Sequence, residues 1–279
     1  MRVKTRFFSL IIFIFFLQTV LISTVFATTK IMPLGDSITQ GFSSGEPDED
    51  RQVSYRKALW DKLQSGRYDV EFVGSLNSGF TIFGSLDPAF HEGHPGWTDD
   101  EIVNGRPIVE PDAGKLDEWL NDHRPDIVLL HIGTNGLDPD PDQVEDILNV
   151  IDAYSTDTWV ILALIINRLG HVCPDPSVTT DFNGNVFDMA NDRITAGDKI
   201  IIVDMECGAG IDYVLQPAGD MNDNLHPYQD PTTGEAPGYA KMADVWFSAL
   251  EQILPDPDPD PPNNSSSSNS GCFIGTAAY

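Results

Sequence analysis

Basic residues are scarce in this chain: Lys and Arg number 16 against 43 Asp and Glu, a formal net charge of −27 over 279 residues. That balance excludes a nucleic-acid phosphate backbone as the partner, because binding one requires a basic footprint. No internal repeat recurs along the sequence, which excludes a solenoid. Cysteine is rare, with three in all. Charged residues amount to only 21%, while hydrophobic residues reach 41% and aromatics 10%, enough to fill one sizeable core. Wholesale disorder is thereby excluded, and the length fits one domain of about 200 to 250 residues. An acidic surface of this kind suits an exported protein acting on neutral substrates.

Arg2, Lys4 and Arg6 precede an almost wholly apolar run from Phe7 to Ile22, and Val25-Phe26-Ala27 supplies small residues at the cleavage positions. This pattern predicts a signal peptide over residues 1–27 and a secreted or cell-surface protein. A membrane anchor is the alternative, since a span takes roughly 20 apolar residues. Residues 28–254 form the candidate folded domain. Residues 255–271 are a linker, Pro/Asp-rich and then Asn/Ser-rich. Residues 272–279, beginning at Cys272-Phe273-Ile274, resemble the Cys-Phe-Ile box at the C-termini of many exported bacterial proteins. Surface attachment is the sharper reading of that segment, against a frayed tail with a stray thiol.

Between the ends, short apolar runs alternate with segments of helical period, the pattern of a parallel sheet covered by helices. The expected strands are Ile31–Leu34, Val70–Val73, Ile127–Ile132, Trp159–Ile166 and Ile200–Val203, and the expected helices include Tyr55–Leu63, Gln143–Tyr154 and Tyr239–Ile253. The fold class is α/β: a three-layer α/β/α sandwich on a five-stranded parallel sheet.

In such a sheet reactive residues collect at the carboxyl edge of the strands. Ser37, in Gly35-Asp36-Ser37-Ile38-Thr39, follows the first strand and is placed either as a nucleophile or as an ordinary helix cap. Asn135, in Gly133-Thr134-Asn135-Gly136, follows the third strand, where an amide can donate to an oxyanion. In Asp223-Asn224-Leu225-His226-Pro227 the carboxylate stands three residues before the imidazole, so that Asp223 can orient His226 and His226 can deprotonate Ser37. Taken alone, a D-x-x-H string is commonly turn chemistry; three such signals at three strand ends point to acyl transfer.

These blocks resemble those of the SGNH/GDSL hydrolases over roughly residues 29–254. The resemblance implies a flavodoxin-like sandwich, Ser37 as nucleophile, His226 as base and Asp223 as its orienter. It also implies an oxyanion hole from the Ser37 and Gly96 N–H groups and the Asn135 side chain, with Gly93 as the competitor to Gly96. Glu92-Gly93-His94-Pro95-Gly96-Trp97 is similar to the acetylxylan-esterase branch, which implies removal of small acyl groups from acylated carbohydrate. Gly136 departs from the family, where many members carry an acidic residue after the asparagine. No cofactor or metal is required for an acyl-serine route. A non-catalytic carbohydrate-binding or surface protein, and a lipase or thioesterase using residues 75–95 as an apolar cleft, are the alternatives.

His91-Glu92-Gly93-His94 invites a zinc reading, but its spacing is one residue short of H-E-x-x-H and no third ligand is evident. Asp138-Pro139-Asp140-Pro141-Asp142 lacks the glycine turn and bidentate glutamate of a calcium loop and reads as a solvated segment. Cys173 and Cys207 follow the fourth and fifth strands at one sheet edge; export would let them form a disulfide, the alternative being buried free thiols.

Overall fold

The computed structural model describes residues 27–85 and 87–257. The predicted signal peptide up to residue 26, most of the linker and the Cys-Phe-Ile segment lie outside the described residues. Among the described residues no helix is long and apolar enough to cross a membrane.

Six parallel strands build one sheet: β1 (Thr29–Gly35), β2 (Val70–Phe72), β3 (Glu92–Gly93), β4 (Ile127–His131), β5 (Trp159–Leu164) and β6 (Ile200–Asp204). Their order is β2-β1-β4-β5-β6, with β3 paired to the last two residues of β1 beyond the end of β2. Five of these are the expected strands, some with shifted ends; β3 is an addition. It is two residues long and carries no apolar pattern. β4 is buried along its whole length, so residues 127–130 read as an uninterrupted apolar run before the buried His131, whereas β6 lies at the edge and is only partly covered.

Among the described residues there are eight α-helices, α1 (Ser37–Gln40), α2 (Ser54–Ser65), α3 (Phe80–Phe83), α4 (Asp99–Asn104), α5 (Leu116–His123), α6 (Asp142–Tyr154), α7 (Val178–Ala196) and α8 (Pro237–Leu250), and the longer ones cover the sheet. On one face Tyr55, Leu59 and Leu63 of α2 pack with Tyr239, Met242 and Trp246 of α8 on Ile31, Leu129 and Ile161. On the other face Trp119, Ile147, Leu148, Phe182 and Val186, from α5, α6 and α7, cover Met32, Leu34, Val128 and Leu130. Alternate residues of the same strands therefore feed two cores. Each fully buried large apolar side chain contributes roughly 1.5 to 3 kcal/mol.

The strand order reverses between β1 and β4, and a crevice opens at their carboxyl ends at such a switch point. At this point the backbones come close: a Cβ on Gly35 would lie 2.1 Å from the His131 carbonyl oxygen, so only glycine fits. The chain leaves β1 through that glycine directly into Asp36 and Ser37.

Candidate active site

α1 begins at Ser37, with Asp36 as its cap: the Asp36 carboxylate accepts the Ile38 N–H at 2.9 Å. The far end of this short helix is gripped by Arg56 of α2. Its fully buried guanidinium donates to the carbonyls of Thr39 at 3.0 Å and Gln40 at 2.9 Å, and also to those of Gln52, Ser78 and Ala89. A cation at a helix C-terminus satisfies carbonyls that the helix itself leaves open. Nothing in the sequence distinguishes Arg56 from a surface arginine, because its acceptors are main-chain atoms spread over 50 residues of chain.

The loop entering α8 delivers the other two groups. The Ser37 hydroxyl lies 2.8 Å from His226 Nε2, and His226 Nδ1 lies 2.9 and 3.0 Å from the two Asp223 oxygens. With the carboxylate facing Nδ1, the network selects the Nδ1–H tautomer and leaves Nε2 to accept the serine proton. Burial alone would raise the Asp223 carboxyl. The Leu225 and His226 N–H groups, both at 2.8 Å, together with the imidazole, hold it below its ordinary value instead. Ser37 and His226 are buried while Asp223 is half-buried, so the polar line runs from the interior to the surface.

The two candidate glycines differ in what their amides do. The Gly93 N–H donates to His91 Nδ1 at 2.9 Å, whereas the Gly96 N–H has no acceptor among the described residues and Gly96 is exposed. The turn carrying Gly96 is tied to the end of β1 by the His94 N–H on the Gly35 carbonyl at 2.9 Å. Asn135, at the end of β4, donates through Nδ2 to the Trp97 carbonyl at 2.9 Å, so the amide and the glycine turn are held together. Gly136 follows with φ +66°, a left-handed turn that glycine adopts without strain. The structure thus brings Ser37, His226 and Asp223 into one hydrogen-bonded line and joins Asn135 to the turn bearing Gly96.

In the sequence, His91, Glu92 and His94 fail as a zinc motif, and Glu92 and His94 belong to the string resembling the acetylxylan-esterase branch, but nothing there says what their side chains touch. In the structure Glu92 and His94 are fastened to each other at 3.0 Å, and the His94 ring stacks on Trp119 at 4.5 Å and lies tilted against Trp97 at the same distance. Trp119 sits on α5, so no local string could have announced the stack. Cys173 and Cys207 are joined in a disulfide with Cα atoms 5.7 Å apart. It connects the loop after β5 to the loop after β6. The first of these loops reaches the imidazole loop through the Leu169 N–H on the Asn224 carbonyl at 3.0 Å.

Two clefts are lined by residues of the site. One of about 330 Å³ is lined by Phe42, Glu46, Pro47, Asn222 and Asp223; the other, about 220 Å³, by Asn135, Gly136, Leu137, Asp138 and Asp140. A larger cleft of about 550 Å³, lined by Leu137, Arg168, His171, Val172, Asp175 and Val178, shares Leu137 with the second.

Sheet order, and the serine, imidazole and amide at its carboxyl edge, give the chain an SGNH/GDSL-like fold. A multidomain esterase of Ruminococcus flavefaciens is 28% identical over 252 residues, which is 84% of this chain. The chain spans 30% of that relative's length. The solved family 3 carbohydrate esterase of Clostridium thermocellum is 27% identical with a TM-score of 0.64, covering 82% of this chain and 98% of that one. A family 3 carbohydrate esterase from Talaromyces cellulolyticus, at 23% identity and a TM-score of 0.57 over 81% of this chain and 97% of that one, speaks for the fold alone. No protein-family model matches the sequence.

Proposed function

We propose that the protein is a secreted serine esterase that removes small acyl groups, acetyl first among them, from carbohydrate, through an acyl-Ser37 intermediate. The observation carrying this is the unbroken line Ser37 Oγ, His226 Nε2, His226 Nδ1, Asp223, with no contact longer than 3.0 Å. Its chemistry follows from the geometry. Ser37 Oγ attacks the ester carbonyl carbon as its proton passes to His226 Nε2, and the imidazolium is stabilised by Asp223. The carbonyl oxygen becomes an oxyanion facing the Ser37 and Gly96 N–H groups and the second Asn135 N–H. Collapse breaks the ester C–O bond, and the leaving alcohol takes the proton from His226. Water then attacks the acyl carbon by the same route, giving the acid and restoring Ser37.

Carbohydrate as the leaving alcohol is supported by the likeness to the family 3 carbohydrate esterase at 27% identity, and ester hydrolysis by the likeness to the multidomain esterase at 28%. A polymer needs room on either side of its scissile ester, and two clefts are lined by residues of the site. The exposed Phe42 ring beside Ser37 offers a sugar an apolar face. Export is supported by the charged and then apolar start of the chain.

The test is a panel of acetylated xylo- and cello-oligosaccharides set against p-nitrophenyl esters of increasing acyl length. Mass spectrometry after organophosphate treatment accompanies it. The expected outcome is acetate release that falls steeply with longer acyl chains, one phosphonyl adduct on Ser37, and near-complete loss of both in folded Ser37→Ala protein. A chain that binds the oligosaccharides, takes no adduct and releases no acetate would be a binding protein instead.

A further inference from the structure

The Gly96 turn is held from a direction remote from the reacting atoms. Arg106, in the loop after α4, donates through Nη2 to the Gly96 carbonyl and to Glu101 Oε2 at 2.7 Å, and through Nη1 to Glu110 Oε1 at 3.1 Å. Its guanidinium lies over the Trp97 ring, 5.3 Å from the centroid, and the second Glu110 oxygen accepts the Trp97 indole N–H at 3.1 Å. Trp97 is fully buried, and its main-chain carbonyl is the acceptor for Asn135. Two consecutive residues are therefore fixed at three points. Arg106 holds the Gly96 carbonyl, Arg106 and Glu110 hold the Trp97 ring, and the Trp97 carbonyl in turn holds the Asn135 amide.

We infer that Arg106 is a positioning residue for ester hydrolysis, setting the placement of both oxyanion donors, the Gly96 N–H and the Asn135 amide, through the Gly96–Trp97 segment. The inference rests on the esterase reading above, which makes those two groups donors. Arg106 itself touches no reacting atom. An arginine is required because three acceptors in different directions meet one planar fork while the same plane covers an indole; an ammonium has three donors, but they splay from a single nitrogen and offer neither the spread of the fork nor a flat face. Glu101 does double duty in the same device. Its side chain also accepts the Thr98 N–H at 2.9 Å in the capping box of α4, so the helix start and the glycine turn share one anchor.

A staple that merely kept the 105–115 loop in place would alter stability and leave the chemical step alone. The experiment separates the two. Steady-state kcat and KM on p-nitrophenyl acetate are measured for wild type, Arg106→Ala, Arg106→Lys, Asn135→Ala and the Arg106→Ala/Asn135→Ala double variant, with thermal melts of each. Displacement of the donors predicts a fall in kcat of about 10- to 100-fold for Arg106→Ala with KM changed less than about twofold, and little recovery in Arg106→Lys. Because part of the Arg106 effect runs through Asn135 and part through Gly96, the double variant should fall below Asn135→Ala by clearly less than the full factor that Arg106→Ala costs in the wild-type background. Losses that multiply, a kcat unchanged in Arg106→Ala, or full activity in Arg106→Lys would each overturn the inference. If Arg106→Ala does not fold, the same cycle is run with Arg106→Lys and judged by the same non-additivity. A wild-type protein inert toward every ester overturns the esterase reading and this inference with it, whereas an active wild type with multiplying losses overturns this inference alone.

Discussion

Asp36 concentrates the cost of building a serine site at a strand end. The residue is fully buried, one carboxylate oxygen accepts the Ile38 N–H, and the other finds no partner at hydrogen-bonding geometry, the Thr134 hydroxyl beside it included. Burial pushes its carboxyl from 3.8 up to about 7, with the Ile38 N–H opposing the rise. Between those two values the folded protein keeps a proton that the unfolded chain has released. Stability therefore falls as pH rises through that window, and the penalty is complete above it. Asp36→Asn keeps the helix cap and removes the charge. Relative to wild type, the variant should gain about 1 to 2 kcal/mol at pH 5 and about 4 kcal/mol at pH 8, read from urea midpoints. Equal gains at both pH values would show that the carboxyl does not carry this penalty. The residues that sequence reading finds here are those whose role is stated in a short string: Ser37, Asn135, and the Asp223–His226 pair three positions apart. Arg56 and Arg106 escape it because their partners are carbonyls and carboxylates brought in by the fold.

At the scale of elements, legibility follows coverage. Residues 127–130 are buried on both faces and show as an apolar run, while Glu92–Gly93 is a strand only because Gly35 pairs with Gly93 beside it. α7 illustrates the opposite failure. It runs for 19 residues, but only Phe182, Val186 and Ala190 make a regular buried stripe, Gly184 interrupts it, and Phe187 and Ile194 on the outer face blur the period. What fixes α7 is a buried polar cluster: Glu206, after β6, accepts from Thr180 at 2.6 Å, Asn183 at 2.9 Å and Asn167 at 2.7 Å. The Cys173–Cys207 disulfide closes the same group of loops, with a sequence separation of 34. Closing a loop of that length in the unfolded chain corresponds to about 3 to 4 kcal/mol. The Cys173→Ala/Cys207→Ala variant should lose stability of that order in urea unfolding under oxidising conditions, and should lose kcat less than the Arg106 variants because neither cysteine holds an oxyanion donor. A double variant as stable as wild type would mean that the polar cluster alone secures the loops.

The molecule as a whole carries most of its excess of acid on the outside, and several of those groups rim the clefts that hold site residues: Asp223 at one, and Asp138, Asp140 and Asp142 beside Asn135 at the other. A net charge of −27 sets up a field that any approaching ester experiences before it meets the serine. For a neutral acetylated sugar the field does no work, and the rate of productive encounter does not depend on salt. For a chain bearing uronic acids it is repulsive, and the repulsion is cut off over a Debye length of about 30 Å at 0.01 M ionic strength and about 8 Å at 0.15 M. The expectation follows directly. Raising ionic strength across that range should increase kcat/KM on a carboxylate-bearing acetylated oligosaccharide several-fold and leave the value on its neutral counterpart unchanged, with kcat constant for both because the chemistry lies inside the site. The measurement is a pair of salt titrations on matched neutral and acidic oligosaccharides at one pH. A parallel response of the two substrates would mean that the acidic surface plays no part in choosing what reaches Ser37, and that discrimination rests on the local contacts at Phe42.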